Sequence, residues 1–385
     1  MKVYDIIIIG AGASGLWAAR TALARGKTVA ILEMKNSAAR KVAISGGGNC
    51  NITNTDANYT RYFGKNPNFV RSALSALTPN DILEWARGHK LSLYEKTPGR
   101  FFCKNGASAV VDALMHDASG SDFFWDTNVQ NVKKENDVFI TETCHGIFKS
   151  KSVIVATGGT SFGTLGVSDI GFKVAKSFGH KIVPVRPALC AMSFKYFPTD
   201  FSGVSVVSEI KIGKQKIIDD LLFTHFGIGG PAAYRASVRD ITDGLYINLA
   251  PDIDLRAMLN DAKHINGRKK LSTVLAEILP TRVAKWIAGD TDKNIADLNK
   301  DLINLIAEKT QNIFIPVHDI KYHNLQSAEV IRGGVDTENI SSKTMESKLC
   351  SGLFFAGEVI DIAGDLGGFN LHWAWASGHT AGTYA

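Results

Sequence analysis

The sequence contains little proline and little cysteine, and it has no long hydrophobic run. Only 10 of the 385 residues are proline, while 45% are apolar and 21% charged, which excludes a disordered or low-complexity chain. The five cysteines are odd in number and form no Cys-x-x-Cys pair, so neither a disulfide framework nor a thiolate metal site is predicted. No apolar run reaches the ~18 residues of a membrane span. These absences predict a soluble, cytoplasmic protein without a metal centre.

A glycine turn near the N-terminus stands between a buried strand and a helix. The β-branched run Val3 to Ile9 precedes Gly10-Ala11-Gly12-Ala13-Ser14-Gly15, and the helix-forming stretch Leu16 to Arg25 follows. A second buried strand, Thr28 to Leu32, ends at Glu33, which completes a βαβ unit. Gly-x-Gly-x-x-Gly in this context is typical of a dinucleotide site, in which the helix N-terminus meets the diphosphate and the carboxylate meets the ribose.

Two later strands also end in glycine turns. Ser152 to Ala156 precedes Thr157-Gly158, and Gly352 to Ala356 precedes Gly357-Glu358. Ligands of open α/β sheets lie at the carboxyl ends of strands, so we expect these turns to converge on one cofactor. Because the chain has a single dinucleotide fingerprint, FAD is the predicted resident, with NADH or NADPH as the transient electron donor. The run Ser45-Gly46-Gly47-Gly48 could expose backbone N–H groups to a flat ring.

The middle of the chain differs in texture from both ends. Residues 188–251 carry β-rich pieces, whereas residues 252–318 are helix-like, with predicted helices at Leu255 to His264, Leu271 to Ala288 and Ile295 to Glu308. We therefore predict an α/β fold with three parts. A discontinuous Rossmann-like FAD-binding domain comprises residues 1–187 and 319–385, and it is interrupted by a β-rich insert (188–251) and a helical insert (252–318).

Five ordered motifs resemble the BaiN/RdsA family of NAD(P)/FAD-dependent oxidoreductases. They are Arg40-Lys41 with Ser45 to Asn51, Ala156 to Gly159, Leu222 to Pro231, Gly333 to Val335, and Gly357 to Asp361 with Gly367 to Asn370. The resemblance spans nearly the whole chain and implies that the first insert is β-barrel-like. Within the family, residues 95–103 and 373–375 are most similar to the branch that contains the ribosomal RNA dihydrouridine synthase.

The resemblance also implies a set of cofactor contacts. The ADP half of FAD would lie against Gly10, Gly12, Gly15 and Glu33, with adenine near Val129. The residues implied to border the rest of the cofactor are Arg40, Lys41, Ser45, Gly46, Gly47, Thr157, Gly158, Gly357, Glu358, Gly367, Gly368, Phe369 and Asn370.

If the chain shares the activity of that branch, it reduces a uracil C5–C6 double bond in ribosomal RNA. Hydride would come from the flavin and a proton from an acid, for which His225, Cys103, Cys50 and His372 are the candidates. Residues 35–104 hold eleven Lys and Arg against four Asp and Glu. We predict that Arg61, Lys65 and Arg71 in this segment form part of a basic RNA-binding surface. The sequence does not indicate the oligomeric state.

Two other functions fit the same sequence. The first is a small-molecule flavin reductase or amine oxidase of this family, which needs no basic surface. The second is a non-catalytic flavin-binding assembly or sensor protein. In such a protein, NAD(P)H would not reduce the bound flavin.

Overall fold

The computed structural model describes residues 2–195 and 201–385, which form two compact units. The first unit comprises Met1–Pro187 and Leu325–Ala385, and the second comprises Ala188–Asn324. The chain thus returns to the first unit at 325, whereas the predicted FAD-binding domain resumes at 319. The division of the intervening segment into two inserts stays a prediction.

The first unit is a mixed α/β structure. Its strands are β1 (Val3–Ile9), β2 (Val29–Leu32), β3 (Asn51–Asn54), β4 (Tyr62–Phe63), β5 (Leu93–Thr97), β6 (Arg100–Cys103), β7 (Asp122–Phe124), β8 (Val129–Glu135), β9 (Val138–Thr143), β10 (Gly146–Val155), β11 (Ile182–Ala188), β19 (Val330–Val335), β20 (Leu353–Phe355) and β21 (Ala363–Gly364). Its helices are α1 (Ala13–Ala24), α2 (Arg40–Ile44), α3 (Arg71–Ala76), α4 (Pro79–Gly88), α5 (Ala107–Asp117), α6 (Ile170–Ser177) and α12 (Phe369–Tyr384).

The central sheet of this unit is parallel where the glycine turns lie. Strands β7, β2, β1 and β10 pair in that order and in parallel, and β20 pairs in parallel with the second half of β10. The first half of β10 pairs antiparallel with β9, which continues to β8. The carboxyl ends of β1, β2, β10 and β20 therefore share one edge of the sheet, as the strand-end turns predict. The predicted Rossmann-like α/β class is confirmed.

Burial on both faces explains the composition of the parallel strands. Ile6, Ile7 and Ile8 are completely buried, as are Ile154 and Phe355. A strand covered by helices on both sides must be apolar at consecutive positions, which is the pattern read from the sequence.

The second unit is built on a seven-stranded antiparallel sheet. Its strands are β12 (Met192–Ser193), β13 (Ser205–Ile212), β14 (Gln215–Phe223), β15 (Gly227–Gly229), β16 (Gly244–Asn248), β17 (Ile313–Pro316) and β18 (Lys321–Tyr322), and the sheet order is β17-β16-β13-β14-β15-β12-β18. Its helices are α7 (Gly230–Ser237), α8 (Leu255–Asn266), α9 (Leu271–Leu275), α10 (Thr281–Ala288) and α11 (Lys300–Gln311). Strand residues such as Ile210 and Ile247 share one buried core with helix residues such as Leu259 and Val283.

Candidate functional site

The three glycines of the first turn meet different surroundings. A Cβ on Gly10, which has φ of +106°, would lie 2.6 Å from the carbonyl oxygen of Ala156 at the end of β10. A Cβ on Gly15 would overlap the carbonyl oxygen of Gly10. Gly12 faces open space, with no atom within 4 Å of its Cβ position. Gly10 and Gly15 therefore allow close packing of strand, turn and helix, while Gly12 leaves the backbone accessible to a ligand.

The N-terminus of α1 fits a diphosphate. Gly12 caps the helix without any side-chain hydrogen bond. The N–H groups of Gly12, Ala13, Ser14 and Gly15 have no protein acceptor among the described residues. Four unpaired donors at the positive end of a 12-residue helix, reached across the open face of Gly12, form an anion-binding cradle.

Glu33 lies at the end of β2 beside this cradle. One carboxylate oxygen accepts a hydrogen bond from the N–H of Ala11 at 2.8 Å, and the other accepts from Lys35 N–H at 2.9 Å. A carboxylate offers about four acceptor positions, so two stay available to ribose hydroxyls. The two backbone bonds also hold the carboxylate in one orientation.

The segment that precedes β8 passes alongside Glu33. The N–H of Thr127 donates to the carbonyl of Glu33 at 2.8 Å, and the N–H of Asp126 donates to that of Lys35 at 3.2 Å. Val129 begins β8 two residues later and is half-buried. This position is compatible with the implied adenine contact, which stays a prediction.

Glu358 organises the side of the site formed by the later glycine turns. Lys41 forms an ion pair with it at 2.9 Å and also donates to the Ser161 hydroxyl at 2.8 Å. The N–H groups of Gly159 and Ile331 donate to the Glu358 carboxylate at 3.2 and 3.0 Å. The ion pair between Lys41 and Glu358 therefore connects α2 to the turns that follow β10 and β20.

The triple-glycine turn presents bare backbone to solvent. Gly46, Gly47 and Gly48 have φ of 59°, 67° and 87°, a left-handed run that glycine adopts without strain. Nothing lies within 4 Å of a Cβ on Gly47 or Gly48. Helix α2 joins this turn to the first one, because the N–H of Ala39 donates to the carbonyl of Ala11 at 2.8 Å.

The triple-glycine turn and the Gly367-Gly368 turn meet through β3. The Asn54 amide donates to the carbonyl of Gly367 at 2.8 Å. When the Asn51 amide is oriented to satisfy its hydrogen bonds, its oxygen accepts from the N–H of Gly368 at 3.0 Å. A Cβ on Gly368 would lie 2.7 Å from the carbonyl oxygen of Thr53. The two turns that the family resemblance assigns to the flavin thus border one region.

A second unpaired helix N-terminus faces this region. Helix α12 begins at Phe369 after Gly368, which makes no side-chain cap, and the N–H groups of Phe369, Asn370 and Leu371 have no acceptor in the described part of the chain. The Phe369 ring is buried, and the Asn370 amide is bonded to the backbone of Gly364. These two residues can therefore reach a cofactor only through their backbone N–H groups, which would stabilise negative charge.

Three of the four candidate acids are buried. Cys50 and Cys103 have no exposed surface, and burial raises the pKa of the Cys50 thiol to about 12. His372 is equally buried, its Nδ1 lies 2.9 Å from the Thr53 hydroxyl, and burial lowers its pKa to about 4. A neutral, enclosed imidazole is suited to holding β3 against α12 rather than to donating a proton to a substrate. The geometry does not support these three as proton donors.

His225 is the one candidate with an exposed side chain. It belongs to the second unit, in the turn between β14 and β15. The N–H of Thr224 donates to the carbonyl of Gly227 at 2.9 Å and closes this turn, and the neighbouring Phe226 ring stacks on His323. Its catalytic role stays a prediction.

The predicted basic surface is partly neutralised. Arg61 bonds to Asp56, and Lys65 pairs with Asp336 at 2.8 Å. Arg71 instead lies over the ring of Tyr59, 3.9 Å from its centroid. Neighbouring carboxylates therefore offset part of the charge of Arg61 and Lys65, whose side chains remain 37% and 59% exposed, and the RNA-binding surface stays a prediction.

Sequence reasoning missed the residues that support the site from behind. The Ser14 hydroxyl donates to the carbonyl of Ala356 at 3.4 Å. A Cβ on Gly357 would lie 2.6 Å from the Ser14 hydroxyl oxygen. A Cβ on Gly378 or Gly382 would overlap backbone carbonyls of α1. Gly378 and Gly382 have the Gly-x-x-x-Gly spacing, which could have predicted from the sequence that α12 packs closely against another helix.

The rest of the chain offers few constraints on location. All five cysteines are free thiols. Among the described residues, no helix combines the length and apolar content needed to cross a membrane.

Comparison with known proteins identifies the family. Residues 4–384 match the model of the HI0933-like protein Rossmann domain. The chain is similar to proteins named ribosomal RNA dihydrouridine synthase from Haemophilus influenzae (35% identity, covering 97% of this chain and 96% of the relative) and Escherichia coli (34%, 98% and 96%). It is also similar to a 3-dehydro-bile acid delta(4,6)-reductase from Clostridium scindens (28%, 98% and 98%). The prediction of an enzyme is confirmed, and the chain belongs to the HI0933-like Rossmann-domain family of FAD-dependent oxidoreductases.

Proposed function

We propose that this protein uses NADH or NADPH to reduce a uracil in ribosomal RNA to dihydrouridine. The observation that carries the proposal is the end-to-end similarity, at 34–35% identity, to two proteins with that named activity. The first unit supports it, because it contains a complete dinucleotide cradle and a second helix N-terminus directed at the neighbouring glycine turns.

FAD, when bound, supplies the hydride that the reduction requires. The unpaired N–H groups at the start of α1 would hold its diphosphate, and Glu33 would hold its adenosine ribose. The N-terminus of α12 would stabilise the negative charge that a reduced flavin carries at its pyrimidine end. Gly47 and Gly48 would leave room for a planar ring, since they place no side chain in the open space before them.

We assign the proton donor to His225. The His225 side chain is exposed and can reach a substrate, whereas burial raises the pKa of the Cys50 thiol to about 12 and lowers the pKa of His372 to about 4, which leaves neither suited to donating a proton near neutral pH. His225→Gln should lower the turnover of an RNA substrate at least about a hundredfold while leaving FAD content unchanged. His264→Gln, at another exposed position in the same unit, is the matched control. Equal turnover in the two variants would remove His225 from the mechanism.

The substrate is tested by mass analysis of ribosomal RNA from cells with and without the gene. Loss of a two-dalton increment at one uridine, restored by the wild-type gene and not by Gly12→Ala, would support the proposal. Identical ribosomal RNA in both strains would contradict it. An enzyme that acts on ribosomal RNA would work in the cytoplasm.

A small-molecule reductase is the second candidate, because one relative that aligns over 98% of the chain is named as a bile acid reductase. Anaerobic addition of NADH or NADPH should bleach the flavin near 450 nm in either case and identifies the donor. The two enzymes then differ in what reoxidises the flavin: a uridine-containing RNA or a conjugated enone. A flavin that neither nicotinamide reduces, with other electron donors excluded, would favour an assembly or sensor protein.

A further inference from the structure

One face of the sheet in the second unit carries an exposed row of two aromatic rings and two lysines. Lys216 on β14 is opposite Lys211 on β13, Lys211 is opposite Tyr246 on β16, and Tyr246 is opposite Phe314 on β17. All four residues are exposed. We call these four residues the aromatic–lysine face.

Strand alternation separates this face from the core. The neighbours Ile210, Ile247 and Ile315 are buried on the opposite side of the sheet. Tyr246 remains 40% exposed and Phe314 47% exposed, although such rings usually contribute large buried areas. Their ring centroids are 4.8 Å apart with planes at 39°, so they form a continuous aromatic platform.

The charge beside the platform is positive. Lys211 and the turn residue Lys214 have no ion-pair partner within the described ranges, and Lys216 pairs with Glu209 at 3.0 Å. Glu209 compensates the charge of Lys216, so the net positive charge beside the rings comes from Lys211 and Lys214. An anionic partner would neutralise these two lysines.

We propose that the aromatic–lysine face binds unpaired nucleotides of RNA. The row crosses four strands at ~4.8 Å spacing, a span of about 14 Å, which accommodates roughly two nucleotides. Bases would stack on Tyr246 and Phe314, and phosphates would lie near Lys211 and Lys214, the combination that sheet surfaces use for single strands. This inference rests on the proposed function for the choice of RNA, and it gives the enzyme a substrate contact outside its cofactor-binding unit.

The charge pattern favours RNA over a protein partner. A second copy of this chain would bring Lys211 and Lys214 against an equally basic surface, and an apolar partner would bury both ammonium groups without a counterion. Phosphates neutralise them while the rings remain free to stack.

Binding of the FAD-loaded enzyme to a fluorescein-labelled single-stranded 12-nucleotide RNA, measured by anisotropy, tests the inference. The double variant Tyr246→Ala, Phe314→Ala should bind roughly tenfold or more weakly, because stacking on each ring is lost. The double variant Tyr246→Phe, Phe314→Tyr should bind within about twofold of wild type, since both rings remain. Ile265→Ala removes a side chain that is 83% exposed on α8 and should leave affinity unchanged.

The lysines are tested through salt dependence. Lys211→Gln with Lys214→Gln should flatten the slope of log affinity against log salt by about 0.7 per lost contact, and the exposed Lys285→Gln on α10 should not. Unchanged RNA affinity in the double alanine variant would overturn the inference, as would a wild-type enzyme that does not bind the RNA. Dissociation of a dimer by that variant, with RNA binding intact, would assign the face to self-association and overturn it as well.

The proposed function fails separately. Ribosomal RNA that is unaltered in cells without the gene would refute the dihydrouridine assignment, yet ring-dependent RNA binding would still establish the aromatic–lysine face. If the modification is missing in those cells but RNA binding does not depend on the two rings, the dihydrouridine assignment would stand and the aromatic–lysine face would be refuted.

Discussion

Gly12 and Gly15 belong to one motif but are constrained by different partners. The Cβ position of Gly15 is occupied by the carbonyl oxygen of Gly10, whereas that of Gly12 points into open space. The first constraint comes from the protein's own packing, and the second would come from the ligand.

These two glycines should therefore separate folding from cofactor binding. Gly12→Ala should change the free energy of unfolding of the apoprotein by less than about 1 kcal/mol, yet weaken FAD binding at least about tenfold. Gly15→Ala should destabilise the apoprotein itself by about 1–3 kcal/mol, because turn and helix must move apart. Urea unfolding of the apoproteins and flavin absorbance after reconstitution measure the two effects. Equal losses of stability would contradict the assignment.

His372 shows how burial changes the meaning of a titratable residue. It follows a glycine turn near the predicted flavin, but its ring is enclosed and bonded to Thr53. Burial lowers its pKa to about 4, so the folded protein holds it neutral at every pH near physiological.

This lowered pKa predicts a stability loss in mild acid. Below pH ~6.5 the unfolded chain binds a proton at His372, but the folded protein does not bind it until the pH approaches about 4. The contribution of His372 to stability therefore falls as the pH drops through this window, and above the window it does not change with pH. The full effect is about 3 kcal/mol. His372→Gln should flatten the pH dependence of urea unfolding between pH 7.5 and 4.5, and the exposed His264→Gln should not. An unchanged pH dependence in His372→Gln would show that the imidazole is not held neutral.

At the scale of elements, the crossing of α1 and α12 is set by glycines. A Cβ on Gly378 would overlap the carbonyl of Ser14, and one on Gly382 would overlap that of Ala18. Because Ser14 also contacts the turn after β20, this crossing holds both helix N-termini in their places.

Gly378→Ala should accordingly disturb the cofactor site from a distance. The added methyl group forces the helices apart, which we expect to cost about 1–3 kcal/mol of stability and to reduce FAD content. Gly88→Ala places a methyl group in open space on α4 and is the control. Differential scanning calorimetry and the ratio of absorbance at 450 to 280 nm report the two quantities; full flavin content in a destabilised Gly378→Ala protein would show that the crossing does not hold the site.

At the scale of the whole molecule, the chain forms two units, and each has its own hydrophobic core. The cofactor residues predicted from sequence all lie in the first unit, and the second contains His225 and the aromatic–lysine face. Among the residues that the structure describes, each core contains buried residues of its own unit only.

Joining Pro187 to Leu325 through a flexible linker should therefore yield a first unit that folds and binds FAD. The same protein should neither bind single-stranded RNA through stacked rings nor reduce uracil. Flavin fluorescence quenching and RNA anisotropy measure both properties, with full-length Gly12→Ala as the complementary control that retains the RNA surface. A linked first unit without affinity for FAD would contradict the independence of the two cores.

Local sequence determined the parts of this protein that depend on neighbouring residues. The apolar runs of β1 and β10 indicate buried parallel strands, and the Gly10 to Gly15 turn indicates the anion cradle, because both patterns arise within one βαβ unit. The predicted helix at Leu271 to Ala288 exists in two pieces, since Pro280 lacks the N–H that a continuous helix needs. The predicted helix at Ile295 begins its α-helical part only at Lys300, where Asn299 caps it.

Only the tertiary structure decided which polar residues are available for chemistry. Cys50, Cys103 and His372 are reactive types at suggestive positions, yet all three are enclosed by elements distant in sequence. Arg61 and Lys65 are unpaired cations in the sequence, but in the folded chain they form ion pairs with Asp56 and Asp336. The row from Lys216 to Phe314 joins residues almost a hundred positions apart, because strand register, and no local pattern, brings them to one face. Burial, charge pairing and register are properties of the folded chain, and the chemistry of this protein depends on all three.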